Sequence, residues 1–253
     1  MKAVCPPWRF ECYNELTSTS DICMERVQAG AAPGLAILAL SQTKGRGSRG
    51  RTWVDARQSL ALSMVLDAGC TGQKALGCWP FVASLAFYEG LAQAVPAAKK
   101  ALSIKWPNDI LLSGQKLGGI LIERTGSALI IGMGANLRAP PDMQTIGRQA
   151  AALADYGATT PEDVARTIMA QMSDWCAFLA ANGFEALCNE WLARAHPVGS
   201  PLVVKGGTTY EQGLFAGLAP DGRLLLETKD GIKMIATGDI LLASQGVGSA
   251  SGH

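Results

Sequence analysis

Two short apolar segments, residues 34–40 and 60–66, constrain the fold of this 253-residue chain more than any other feature. Each has the length of one strand, and the first (GLAILAL) contains no polar position. Such a strand is buried on both faces, because neither side carries a row of groups that water could solvate. It needs a covering layer above and below, which is the arrangement of an α/β protein.

Helical patterns lie around these runs. Ser18, Thr19 and Ser20 precede Asp21 and a mixed run to Gly30, which predicts a capped helix with a glycine stop. Leu76, Trp79, Ala83, Phe87 and Leu91 recur at three and four, predicting an amphipathic helix that stops before Pro96. From Ser103 the pattern changes to short strands over 103–106, 110–112, 117–124 and 128–135. Turns at Ser113-Gly114 and Thr125-Gly126 join the last three into an antiparallel meander. Thr160-Pro161-Glu162-Asp163 opens another helix, with a cap, a proline at the first position and two acids near the positive dipole end. Val164, Ile168, Trp175 and Leu179 give it an apolar face.

The texture changes after Pro197. Alternating segments over 202–205, 214–218, 224–228, 232–236 and 240–242 recur about every ten residues. Gly206-Gly207, Pro220-Asp221-Gly222, Asp230-Gly231 and Gly238-Asp239 separate them, which predicts a small, separate β-barrel. The glycine- and serine-rich tail from Gly246 is expected to be disordered. The expected organisation is a mixed-sheet catalytic domain over residues 1–197, a barrel over 198–245 and a tail over 246–253.

A hydrophobic content of 48% against 17% charged residues allows a sizeable core and argues against disorder. The net charge of +1 argues against a globally basic nucleic-acid binder. No apolar run approaches the roughly 18–20 residues of a membrane span, and residues 1–10 lack the apolar stretch of a signal peptide. The seven cysteines form no CxxC motif or Cys/His cluster, so they read as reduced thiols in a cytoplasmic protein. His196 and His253 cannot build a metal site between them, and His196 is expected to be structural.

Three stretches carry chemistry. In residues 41–53, four cations and three glycines with no acid separate the two buried runs. Glycine lets backbone N–H groups approach a ligand, and arginine presents a donor fork matched to phosphate or carboxylate oxygens. A solvated basic turn and an RNA-binding loop are the competing readings, and the second lacks interleaved aromatic residues. Next, Lys105, Asn108 and Asp109 cluster where one strand gives way to the next, and Lys116 opens an otherwise apolar strand; a solvated turn is the simpler reading. Finally, Ile130-Ile131-Gly132-Met133-Gly134-Ala135-Asn136 places glycines inside a strand, which weakens it unless a ligand or backbone comes close.

Taken together, the three resemble the biotin–protein ligases. Gly45-Arg46-Gly47-Ser48-Arg49-Gly50-Arg51-Thr52-Trp53 is similar to that family's glycine–arginine loop. Lys105-Trp106-Pro107-Asn108-Asp109 with Lys116-Leu117-Gly118-Gly119-Ile120-Leu121 resembles its central signature, and Gly132-Met133-Gly134-Ala135-Asn136 and Ser18-Thr19 its flanking motifs. The resemblance covers roughly residues 8 to 243. It implies a class II synthetase-like biotin–lipoate ligase fold, a mixed sheet flanked by helices, with an SH3-like barrel at the C-terminus.

It also implies an ATP-dependent activation of biotin to biotinyl-adenylate, then transfer to a lysine of a biotin carboxyl carrier domain, with acetyl-CoA carboxylase the expected source. Lys116 would be the electrostatic catalyst between biotin carboxylate and α-phosphate, two anions that repel unless cations sit between them. Arg46 would lie along the loop closing over biotin and the adenylate. Arg51 would meet phosphates, with Mg²⁺ sharing their charge, and Asp109 would hold that metal or deprotonate the incoming lysine. Ser18, Thr19 and Gln42 would bind the biotin ring, and Gly45, Gly119, Ile120 and Gly134 would line its pocket. Arg49, Trp53, Lys105, Asn108 and Asn136 complete the expected ATP contacts.

Ser48 departs from the family pattern, which often has arginine there, and predicts looser retention of the intermediate. No tryptophan near Gly147 offers itself to cover adenine. The ligase core begins within about ten residues of Met1, leaving no room for the DNA-binding domain of some members, so DNA binding is not expected. A monomer or a homodimer is compatible with the sequence. A lipoate–protein ligase and a non-catalytic adenylate- or RNA-binding module are the rival readings.

Overall fold

Seven strands form the main sheet: β1 (Arg9–Tyr13), β2 (Leu35–Ala39), β3 (Leu60–Asp67), β4 (Leu102–Lys105), β5 (Asp109–Leu112), β6 (Gln115–Thr125) and β7 (Ala128–Ala135). The computed structural model describes residues 7–54, 59–71, 77–141, 144, 149–206, 209–236 and 238–242. Expectations that fall on Leu76, Gly147, Gly207, His253 and the tail from Gly246 lie outside the described residues. The spatial order is β1-β2-β3-β7-β6-β5-β4. β1 runs parallel to β2, and every other neighbouring pair is antiparallel, so the sheet is mixed.

The two apolar runs are the strands β2 and β3, and both faces of β2 are buried as expected. Ala36 and Leu38 face the main core, whereas Leu35 and Ile37 join a second cluster with Cys23, Val65 and Ile130. The second cluster packs beneath α1 (Thr19–Gln28). Ser18 caps that helix by accepting a hydrogen bond from the Asp21 amide at 3.4 Å. The main core lies under α2 (Trp79–Ala94) and α3 (Pro161–Leu192).

The structure corrects the amphipathic reading of α2. Phe81, Val82, Leu85 and Ala86, off the expected stripe, are buried as fully as Trp79 and Phe87. The helix is sandwiched between the sheet and α3, so it has almost no solvated face. Gly90 permits that close approach, since a Cβ there would lie 2.5 Å from Ile168 Cγ1. α3 starts as its sequence predicts: Thr160 accepts from the Asp163 amide at 3.1 Å and Pro161 opens the first turn. It runs past the predicted apolar face to Leu192, interrupted at Gly183, whose φ of 80° only glycine adopts readily.

Five further strands, β8 (Pro201–Gly206), β9 (Thr209–Leu218), β10 (Leu224–Thr228), β11 (Gly231–Ile235) and β12 (Asp239–Leu242), form a second sheet in the order β11-β10-β9-β8-β12. All its pairings are antiparallel. This small sheet packs against the end of the main one. Lys105 Nζ donates to Ile240 O at 3.0 Å, and Trp106 Nε1 to Gly222 O at 3.3 Å. His196 stands edge-on to Phe215 with ring centroids 4.4 Å apart. Both of its ring nitrogens are buried without a partner; burial, helped by the charge of Lys105, pushes its pKa down to about 4. Its structural role is therefore as expected.

Cys12, Cys23, Cys78, Cys176 and Cys188 are free thiols, and all but Cys12 are buried. Among the described residues no helix is long and apolar enough to cross a membrane.

Candidate active site

The middle of β6 and β7 is floored by glycine, and above it lies a narrow cavity. Ser18, Thr19, Gln42, Arg46, Trp53, Asn108, Lys116, Gly119, Ile120 and Gly134 all line it. The glycines keep it open and narrow: a Cβ on Gly134 would come within 2.7 Å of Trp53 Cε2, and one on Gly119 within 3.2 Å of Lys116 Nζ. The Trp53 indole thus forms a wall directly against the β7 backbone, and its Nε1 is buried without a partner.

One end of the cavity is neutral and polar. Gln42 Oε1 accepts from the Thr19 amide at 2.9 Å and from Thr19 Oγ1 at 3.2 Å. Ser63 Oγ, pointing up from β3, shares hydrogen bonds with Thr19 Oγ1 at 2.7 Å and Ser20 Oγ at 3.0 Å. These buried groups orient one another, which fixes an array of donors and acceptors at this end. Sequence reasoning missed Ser20 and Ser63. A serine within the apolar run 60–66 was the available signal.

The other end is charged. The Asp109 carboxylate is held through Oδ1 by Lys116 and through Oδ2 by Lys105, the latter at 2.9 Å. Burial alone would raise the Asp109 pKa, but the two ammoniums outweigh it and bring it down to about 2. Asp109 is therefore an anion at any physiological pH, and a weak base. Asn108 braces the neighbouring strand, its Nδ2 donating to Ile120 O at 2.7 Å while Ile120 N donates to Asn108 O at 2.9 Å.

The glycine–arginine segment forms a hairpin roof. Gly47 N donates to Arg51 O at 2.8 Å, and Trp53 N to Gly45 O at 2.9 Å. Arg49 sits at its tip with a left-handed φ of 60°. Arg51 folds back on Ser48, its Nη2 donating to Ser48 Oγ at 3.0 Å and its Nε to Ser48 O at 3.2 Å. Arg46 is ion-paired at Nη1 with Asp21 and at Nη2 with Glu123. Neither acid was singled out from sequence.

Not every expected residue reaches the main cavity. Gly45, Arg49 and Arg51 line an adjoining space beneath the loop, together with Arg46 and Glu123. Arg51, Lys105, Asn108 and Asp109 line a third cavity, which Lys205 and Tyr210 of the small sheet complete. Lone residues at strand ends, those two carried no sequence signal. Asn136 lines none of these three cavities: its Nδ2 donates to Ala151 O at 3.0 Å, and its Oδ1 is buried without a partner.

The metal expectation at Asp109 does not fit. Both carboxylate oxygens are taken by ammoniums, and a divalent cation there would face Lys105 and Lys116. Among the described residues no group of three or more His, Cys, Asp or Glu side chains gathers to hold a metal.

A sheet whose glycine floor meets a half-buried lysine under an arginine-bearing roof, backed by a small β-sheet, defines the class of the biotin and lipoate ligases. Residues 14–136 match the profile of the Biotin/lipoate A/B protein ligase family, and residues 202–242 that of the Biotin protein ligase C terminal domain. The biotin–[acetyl-CoA-carboxylase] ligase of Paracoccus denitrificans is 37% identical over 224 residues, covering 83% of this chain and 92% of that one. The Mycobacterium tuberculosis enzyme of the same name is 28% identical, with 88% and 85% covered. The biotin protein ligase of Aquifex aeolicus, solved in complex with biotin and ATP, superposes with a TM-score of 0.79 at 26% identity, over 92% of this chain and 98% of that one. The chain belongs to the biotin–protein ligase family.

Proposed function

We propose that the protein activates biotin with ATP, releasing pyrophosphate, and passes biotin from the adenylate to a carrier lysine. The observation that carries this reading is the cavity itself: a neutral polar array at one end, a half-buried lysine at the other, and a glycine floor between them. The array of Ser18, Thr19 and Gln42 suits a polar ring. Lys116 suits a carboxylate meeting a phosphate, because its ammonium at the cavity edge offsets the repulsion of two anions and stabilises the charge that develops.

In this reading Asp109 is a positioning residue. It holds the Lys116 ammonium at the cavity edge, and its depressed pKa argues against a role as base for the incoming lysine. Arg51, Lys105 and Asn108, with Lys205 and Tyr210, face the third cavity and would receive the phosphates of ATP. Arg49 lies near them on the loop, and Trp53 walls the biotin side. Magnesium is taken to accompany ATP without a ligand from Asp109.

The catalytic domain is taken as residues 1–197 and the smaller domain as 198–245. Members of the family act on biotin-carrier proteins, and here the carrier domain of acetyl-CoA carboxylase is the proposed acceptor. Incubation of the purified protein with biotin, ATP, Mg²⁺ and an apo carrier domain should add one biotin to that domain by mass spectrometry. A carrier that stays unmodified beside folded enzyme, or that accepts lipoate instead, would overturn the assignment.

A further inference from the structure

Arg46 ties three walls of the cavity together. Its own loop supplies the roof, through Gly47 and Ser48. Asp21, its partner at Nη1, lies in the first turn of α1 just past the cavity-lining Ser18, Thr19 and Ser20. Glu123, its partner at Nη2, lies on β6 two residues beyond the cavity-lining Leu121. Each acid takes a different end of the guanidinium, so the side chain is held in one orientation rather than swinging about one contact.

Glu123 adds a second observation. Its Oε2 is buried without any hydrogen-bond partner, while Oε1 takes Arg46. A half-satisfied carboxylate is costly to keep in that position unless a cation compensates it, and the cation present is Arg46. Burial works against the charge of Arg46, yet the two acids more than offset this and raise its pKa.

We infer that Asp21 and Glu123 are positioning residues that fix Arg46, and through it the glycine–arginine loop, across the mouth of the biotin cavity. They touch no reacting atom. Their effect is to hold the roof at the height at which it meets a ligand. The consequence for biotin rests on the ligase reading; the consequence for the loop does not.

The test uses the full chain and the near-isosteric variants Asp21→Asn, Glu123→Gln and their double. Limited trypsin digestion, read by mass spectrometry, reports cleavage after Lys44, Arg46, Arg49 and Arg51. Without added ligand the double variant should be cut in the loop about tenfold faster than wild type, and each single variant by less, as expected for two partly exposed ion pairs. In steady-state assays the KM for biotin should rise about fivefold and by more than kcat falls. Asp21 is at the surface, so its variant reports even if removing the Glu123 charge impairs folding. Equal loop cleavage and an unchanged KM in Asp21→Asn and the double variant would overturn the inference. Faster cleavage that biotin with ATP never suppresses, in wild type or variants, would leave the clamp standing and count against the ligase reading instead.

Discussion

Lys105 Nζ lies 2.9 Å from Asp109 Oδ2, directly across the β4–β5 hairpin, and this contact leaves Oδ1 to Lys116. One buried carboxylate thus serves two ammoniums. Lys105 also donates to Ile240 O, so its charge links the hairpin to the small sheet, whereas Lys116 projects to the cavity. The division of labour suggests different outcomes when each member is removed.

Lys116→Ala should fold and bind biotin but form the adenylate about 10²–10³-fold more slowly, the usual loss when one preorganised electrostatic donor is removed. Lys105 still compensates Asp109 in that variant. Single-turnover adenylate formation, followed by quenched-flow chromatography, checks this; an undiminished rate would remove Lys116 from the chemistry. Asp109→Ala should instead cost stability, about 3–5 kcal/mol, because two ammoniums lose their shared partner. Urea midpoints of the two variants separate these effects.

Acid should weaken the fold in two windows. A neutral His196 has a folded pKa of about 4, below the ordinary value of 6.5, so the unfolded chain takes up the proton first as pH falls. Stability is full above pH 6.5 and is lost progressively down to about 4, by roughly 3 kcal/mol. Asp109, depressed from 3.8 to about 2, contributes stability present above its ordinary value and lost as pH falls through about 2. Urea melts of wild type and His196→Phe across the upper window should separate as pH falls, wild type losing stability that the variant keeps. Parallel curves would exclude His196 as the source.

Gly134→Ala should push the Trp53 indole off the β7 backbone, since the new Cβ would meet it at 2.7 Å. The expected result is about a tenfold rise in KM for biotin, from the typical cost of overpacking. Isothermal titration with biotin checks this without turnover.

Ser48→Arg should slow release of the intermediate several-fold. Ser48 now contributes a hydroxyl that accepts from Arg51, and arginine would place a cation at the roof of the cavity. Equal rates of biotinyl-adenylate release from wild type and variant, measured by rapid filtration, would contradict the idea.

Much of this was legible in the sequence. The runs at 34–40 and 60–66 announced β2 and β3, because a strand with at most one small polar position among apolar ones belongs in a core. Thr160-Pro161 and Ser18 announced helix starts, because capping is local chemistry. β1 gave no signal, since an edge strand with partly exposed faces carries no apolar run. In α2 the off-stripe residues Phe81, Val82 and Leu85 were visible, but the covering helix that makes them core lies about eighty residues away. Arg46 shows the limit most clearly. Its loop was conspicuous by composition, yet its partners stand 25 and 77 residues distant, and only the fold brings them together. Asn136 was expected to contact the nucleotide, but it lies just past the end of β7, and its amide is engaged by Ala151 O, fifteen residues further along the chain.

The central claim is that this cavity activates biotin with ATP. Pyrophosphate–ATP exchange by the purified protein with Mg²⁺, in the presence of biotin or of lipoate, tests it most directly. The account predicts exchange that depends on biotin, is absent with lipoate and is lost in Lys116→Ala. Exchange driven by lipoate, or none with either acid in folded protein, would contradict it.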